Sequence, residues 1–210
     1  MAIGTYSVAV SIGGITINKQ ISRTADHPNP YGPIALPVGK AGTLSTRTDD
    51  NTGEATLSTG HGITDGMIVD VYWAAGCRYG MTVGTVATNV VPIDGGAGDN
   101  LPTESTAVVL TEQVIINTAI DGDASSLLAV SFESTDTAST AKASIDFQDS
   151  SDTSIEQLDL VVNQPQVFDL GAGGTNPFTG NPITHSHASN GSSTDTACTI
   201  TILSLDDSTP

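Results

Sequence analysis

Apolar residues in this chain recur at every second position in short runs. No long segment carries the i, i+3, i+4, i+7 pattern with the capping residues of a helix. Period-two patterning commits a chain to half-buried strands, because successive side chains of a strand leave on opposite faces. The sharpest case lies in Gly60 to Val83, GHGITDGMIVDVYWAAGCRYGMTV, which holds the only Trp, two of the four Tyr, one of the two Cys and two of the three Met. Met67, Val69, Val71 and Trp73 share one parity, and Tyr79, Met81 and Val83 share another. The stretch therefore predicts a hairpin whose inner sides meet in a common core, with Trp73 buried beside Val71, Met81 and Val83. Thr64-Asp65-Gly66 predicts a turn before it, and Ala74-Ala75-Gly76 a tight connection with Gly76 at positive φ.

Other stretches follow the same rule. In residues 5 to 21, Tyr6, Val8, Val10 and Ile12 alternate, then Ile15 and Ile17, with the switch at Gly13-Gly14, so a β-hairpin is expected. Pro28, Pro30, Pro33 and Pro37 then forbid a helix or a central strand between Ala25 and Pro37. That segment reads as an extended arm, either a crossing between domains or a strap laid over a neighbouring subunit. Short strands are expected at Thr43 to Thr46, Glu54 to Ser58, Val86 to Ile93 and Ala107 to Leu110, separated by turns at Asp49 to Gly53 and Asp94 to Asn100. Further strands are expected at Val114 to Ile120, Leu127 to Phe132, Ala141 to Phe147, Ile155 to Val162, Val167 to Leu170 and Ala197 to Leu205, with surface loops at Ser134 to Thr140 and Gly171 to Pro182. The fold class is all-β: a small barrel or compact sandwich plus a second antiparallel β-sandwich, joined by loops, with no long helix. The expected division is 1–37 for the N-terminal hairpin and Pro-rich arm, 38–110 for the barrel-like domain and 111–210 for the sandwich. The hairpin could complete the barrel or pair with the second sandwich across an inserted barrel.

Charge narrows the function. Six Lys and Arg stand against 23 Asp and Glu, giving −17, yet only 14% of residues are charged, against about a quarter in ordinary domains. Polarity comes mainly from Ser, Thr, Asn and Gly. Such a surface repels phosphate backbones and anionic lipid, so nucleic-acid and membrane partners are not expected. MAIGTYSVAVSIGG has no basic start and reads as a strand rather than a signal peptide, and no run reaches the ~18 apolar residues of a membrane-spanning helix.

The candidate chemistry is sparse. Of His27, His61, His185 and His187, only the last two are close; on a strand His185-Ser186-His187 would place two imidazoles on one face, a metal-compatible spacing, although one protomer offers too few ligands and a polar loop explains the pair equally. Cys77 and Cys198 sit in apolar patterns without metal spacing and read as buried free thiols. Gly95 to Gly98 and Gly171 to Gly174 are not followed by a helix and read as turns rather than phosphate cradles. Asp49-Asp50-Asn51 and Asp121-Gly122-Asp123 lack the spacing of a calcium loop. Asn190-Gly191-Ser192 matches a glycosylation sequon only formally. No nucleophile, base or carboxylate pair gathers, so no catalytic, cofactor or metal residue is assigned and a non-enzyme is expected.

The block HGITDGMIVDVYWAAGCRYGMTVGTV followed by VPIDGGAGDNLP resembles small β-domains in virion structural proteins of tailed bacteriophages. The resemblance implies a capsid decoration (cement) protein, or else a tail or baseplate component. It further implies synthesis in the host cytoplasm, residence in the virion, and assembly as a homo-oligomer, a trimer being favoured, on the major capsid protein or other virion proteins. A carbohydrate- or receptor-binding β-module and a hydrolase of unrecognised type are the competing classes; exposed loop aromatics would favour the former, and the chain has few to spare.

Overall fold

A computed structural model describes residues 4–12, 15–23, 27–117, 125–136, 139, 141–169 and 183–206. The expected turns at Gly13-Gly14 and Asp121-Gly122-Asp123, and the loop from Gly171 to Pro182 with its Gly171 to Gly174 run, lie outside them. The described residues are all-β, with no helix among them, and they include a closed six-stranded barrel and further antiparallel sheets. The chain divides into two compact units, residues 1–36, 115–188 and 197–210 in one, and residues 37–114 and 189–196 in the other.

The first unit starts with a ribbon of β1 (Gly4–Ile12) and β2 (Ile15–Arg23), paired from Gly4↔Arg23 through to Ile12↔Ile15. The proline-rich segment is not an arm. It forms β3 (His27–Ala35), which pairs antiparallel with the last strand of the chain from His27↔Asp206 to Ala35↔Thr199. Prolines are tolerated because β3 is an edge strand, where a missing N–H costs no ladder bond if it faces outward.

The second unit is the barrel: β4 (Lys40–Arg47), β5 (Thr52–Leu57), β6 (Ile68–Trp73), β7 (Gly76–Val83), β8 (Val90–Gly98) and β9 (Ala107–Glu112). The strands close in the order β4-β5-β8-β7-β6-β9, with Lys40↔Leu110 to Thr43↔Ala107 sealing the ring. Closure leaves no open edge. The expected parity fills the interior: Val69, Val71, Met81 and Val83 are fully or almost fully buried with Leu44, Ile93 and Leu110.

Four local expectations are corrected. Trp73 is half-buried, because it ends β6 at the hairpin and packs on the core with one side only. The connection is Ala74-Ala75, and Gly76 already pairs with Trp73; it is needed for space, since a Cβ there would lie 2.9 Å from the Trp73 ring. The strand expected from Val86 begins at Val90, because Ala87 and Val90 exchange main-chain bonds around Thr88 at φ 54°. Asp94 to Gly98 continues β8 instead of turning, pairing with Arg78 to Thr82 and absorbing the strain at Gly95, Gly96 and Gly98, all at positive φ. The turn at Thr64-Asp65-Gly66 forms, with Gly66 at φ 79° donating to Val83 C=O.

After the barrel come β10 (Val114–Ile116), β11 (Ser125–Ser134), β12 (Lys142–Gln148), β13 (Ser154–Val161), β14 (Gln166–Asp169), β15 (His185–Asn190) and β16 (Cys198–Asp206). They form two four-stranded sheets, β10-β15-β12-β13 and β14-β11-β16-β3. Phe132 of β11, Ile145 and Phe147 of β12 and Ile200 of β16 are wholly buried, so both sheets contribute to that unit's core. A chain unit thus draws its strands from both sides of the barrel in sequence, and the expected 1–37, 38–110 and 111–210 division becomes two interleaved units.

Candidate functional site

The densest buried chemistry sits on the outer parity of β6, where alternation alone predicts solvent. Asp70 is 1% exposed and Tyr72 4%, because residues 189–196 lie over that wall of the barrel. One Asp70 oxygen accepts the Gly80 N–H at 2.8 Å and the Gln113 side-chain amide at 2.7 Å; the other accepts the Ser189 hydroxyl. Since Ser189 has a single proton and gives it to Asp70, the Tyr72 hydroxyl donates to Ser189 Oγ, at 2.6 Å. A buried carboxylate is tolerable when it collects bonds of this kind.

The covering segment is braced from both sides. Thr111 Oγ1 donates to Asn190 C=O at 2.6 Å and Gly39 N–H to Ser192 C=O at 2.8 Å. Asn190 is itself fully buried, accepts Ser192 N–H at 2.9 Å and donates to Asp195 C=O at 3.1 Å. Its amide is therefore committed to the fold and is not placed to receive a glycan. Gly191 is required by contact: a Cβ would meet the Tyr72 ring at 2.7 Å.

Arg78, 7% exposed, is a second buried charge of the barrel. Its guanidinium donates to the carbonyls of Gly95 at 2.6 Å, Gly96 at 2.9 Å and Asp99 at 3.0 Å, and so fastens the irregular end of β8.

The histidines separate. His61 accepts Ile63 N–H on Nδ1 at 3.1 Å, so its Nε2 carries the proton given to Thr88 C=O at 3.1 Å, and the ring staples a barrel loop. His27 is placed in β3 by its backbone pairing with Asp206. His185 and His187 do share a face of β15, their ring centroids 5.2 Å apart. His185 Nε2 faces Gln148 Oε1 at 3.0 Å and Asp152 Oδ1 at 3.1 Å, and Nδ1 faces Thr184 Oγ1 at 2.9 Å. Gln148 is held in that orientation because its NH₂ donates to Asp146 at 2.6 Å. Two acceptors on Nε2 mean that it carries a proton, so His185 is held in a hydrogen-bonded network. Among the described residues no group of three or more His, Cys, Asp or Glu is gathered to hold a metal ion.

Neither cysteine is in a disulfide; Cys198 is buried, but Cys77 is half-buried, with its sulfur against the Tyr79 hydroxyl, so the expectation of burial fails for Cys77. Asp49 to Asn51 form the β4–β5 turn. There Asn51 N–H donates to Asp49 Oδ1 at 2.9 Å and holds its carboxyl below the ordinary aspartate range, with Thr52 and Arg47 acting in the same direction against a smaller desolvation effect. The Asp70–Tyr72–Ser189 arrangement escapes sequence reading because its partners lie 117 to 119 positions apart. Comparison with protein-family models, curated proteins and solved structures finds no match to this chain.

Proposed function

We propose that this chain is a non-enzymatic structural component of a tailed-bacteriophage virion, a capsid decoration (cement) protein that assembles as a homo-oligomer, in the trimeric state, against the major capsid protein. The observation that carries the reading is where the chemistry-bearing residues are spent. Asp70, Tyr72 and Ser189, Arg78, and the His185 network are each bonded into the fold, fastening one segment to another. What remains for recognition is a surface rich in Ser, Thr and Asn on a chain of charge −17, suited to shape and main-chain contacts over area. Many such contacts, repeated on a lattice, hold firmly even when each is modest. The resemblance of residues 61–102 to virion β-domains supports the same assignment.

Because β3 is paired along its length with β16, residues 25–37 cannot be removed as a detachable strap; deleting them would strip an edge strand from a sheet. The test is mass analysis and electron microscopy of particles that carry a tagged chain. The reading expects the tag at repeated symmetric positions on the head. A tag found only on tails or baseplates would replace the head assignment with a tail one, and a free monomer turning over a small substrate would reject the structural role.

A further inference from the structure

In β12 the buried Ile145 and Phe147 alternate with Asp146 and Gln148, which therefore share the opposite face of the sheet. Gln148 stands directly opposite Ser154 of β13, at the point where the register of the two strands shifts, so their side chains are neighbours. Both end on one carboxylate. Asp146 Oδ1 accepts the Ser154 hydroxyl at 2.5 Å, and Oδ2 accepts the Gln148 side-chain NH₂ at 2.6 Å. The other end of that amide is bonded as well, Gln148 Oε1 accepting the His185 Nε2 proton at 3.0 Å.

His185 is held for this contact by two further groups, Asp152 Oδ1 at 3.1 Å from Nε2 and Thr184 Oγ1 at 2.9 Å from Nδ1. Asp152 belongs to the β12–β13 turn, where it adopts φ 59°, a conformation uncommon for a residue with a side chain and often retained at functional positions. Asp149 ties the same turn, its Oδ1 accepting Ser151 N–H at 2.7 Å and Thr153 N–H at 3.1 Å. A hydroxyl, a base on its proton, a primary amide and a donor on the amide oxygen thus stand in the order that an acyl transfer needs.

We propose that this cluster is self-reactive: Ser154 Oγ attacks Gln148 Cδ and forms an ester that staples β12 to β13. Asp146 takes the Ser154 proton as the Oγ–Cδ bond forms, and the negative charge that develops on Oε1 is met by the His185 N–H. The Cδ–Nε2 bond then breaks, and Asp146 returns the proton to the departing nitrogen beside it. One C–O bond replaces one C–N bond, one ammonia leaves, and Asp146 and His185 end as they began, so no co-reactant is required. Neighbouring reactants with good orientation reach effective concentrations on the order of 10⁵ M or more, which favours Ser154 over water as the nucleophile. Ammonia is protonated at neutral pH and diluted away, and this draws the exchange forward. The staple concerns a single chain and does not depend on the virion reading.

The experiment is intact mass measurement of the denatured full chain, followed by cleavage at aspartate. The expected mass is that of the sequence less one ammonia. Cleavage at Asp149 or Asp152, inside the stapled loop, is expected to leave the two halves joined until hydroxylamine opens the ester. Ser154 is exposed, so Ser154→Ala is expected to fold as the parent does and to show no deficit. Asp146→Asn, which keeps an acceptor and removes the base, is expected to show none either. In chain freshly made by cell-free synthesis, His185→Ala is expected to slow the appearance of the deficit at least about tenfold. A parent chain of full mass overturns the staple. So does a deficit retained by Ser154→Ala, which would place the loss of ammonia elsewhere, as at Asn190-Gly191, and so does conversion of Gln148 to Glu with the two halves unjoined. Formation at the parent's rate in His185→Ala overturns the part given to His185.

Discussion

Asp70 can sit inside this protein because both of its carboxylate oxygens are bonded, and those bonds connect β6 to β7, to Gln113 and to the segment that begins at Ser189. Replacing it removes acceptors from groups that stay buried, so Asp70→Ala is expected to destabilise the barrel unit by about 3 kcal/mol or more, measured by chemical denaturation. Gly191→Ala tests the same wall from the other side. Its Cβ would stand 2.7 Å from the Tyr72 ring, and a cost of about 1–3 kcal/mol is expected as the ring or the segment shifts. Asp49 gives a pH-dependent counterpart at the surface. Its carboxyl is depressed by the Asn51 N–H, so whatever it contributes to the β4–β5 turn is present above the ordinary aspartate pKa and is lost as pH falls through the depressed value. Carboxyl titration by NMR should find Asp49 with a midpoint below that of an unstructured aspartate, and Asn51→Pro, which removes the donor, should move the midpoint back up. At this scale the sequence was half legible. Parity placed Val69 and Val71 inside without reference to anything else, whereas Asp70 and Tyr72 look solvent-facing until a segment more than a hundred residues later is laid over them.

The elements follow their local chemistry wherever that chemistry is enough. Alternation located most strands of the barrel, and the prolines of β3 correctly excluded a central strand while leaving an edge strand open. Two elements had no local signal. β15, His185–Asn190, contains no large apolar residue and becomes a strand through pairing in its sheet. Asp94 to Gly98 has the composition of a turn but stays in β8, where Arg78 anchors its carbonyls and its glycines accept positive φ. Arg78→Met keeps most of the side-chain volume and removes every donor, so it is expected to cost about 2–4 kcal/mol and to raise amide exchange first at residues 94–99. Trp73 belongs to this scale as well, since its position at the end of β6 limits its burial. Trp73→Ala is expected to cost about 2 kcal/mol, less than for a wholly buried indole, and its fluorescence should be intermediate between buried and exposed. A cost above about 4 kcal/mol would place the ring in the core after all.

At the scale of the whole molecule, composition restricts the class of partner that the proposed function can name. A chain of −17 with only six basic residues has little with which to grip a phosphate backbone, and its Ser, Thr and Asn surface favours contacts made by area. Its interleaved units were not legible, because nothing in a local pattern says that β3 and β16, separated by most of the chain, will pair. The N-terminal ribbon is the exception in charge, carrying two of the six basic residues and none of the 23 acidic ones. The central claim is that this molecule binds a virion head by repeated contacts. It is tested most directly by titrating the purified, labelled chain onto expanded phage heads lacking their own decoration and following bound mass together with the temperature of head rupture. The account predicts saturation at a fixed number of symmetric sites, filled three chains at a time, with rupture moved to higher temperature. Heads that take up no chain at saturating concentration, or that bind it without any change in rupture temperature, would contradict it.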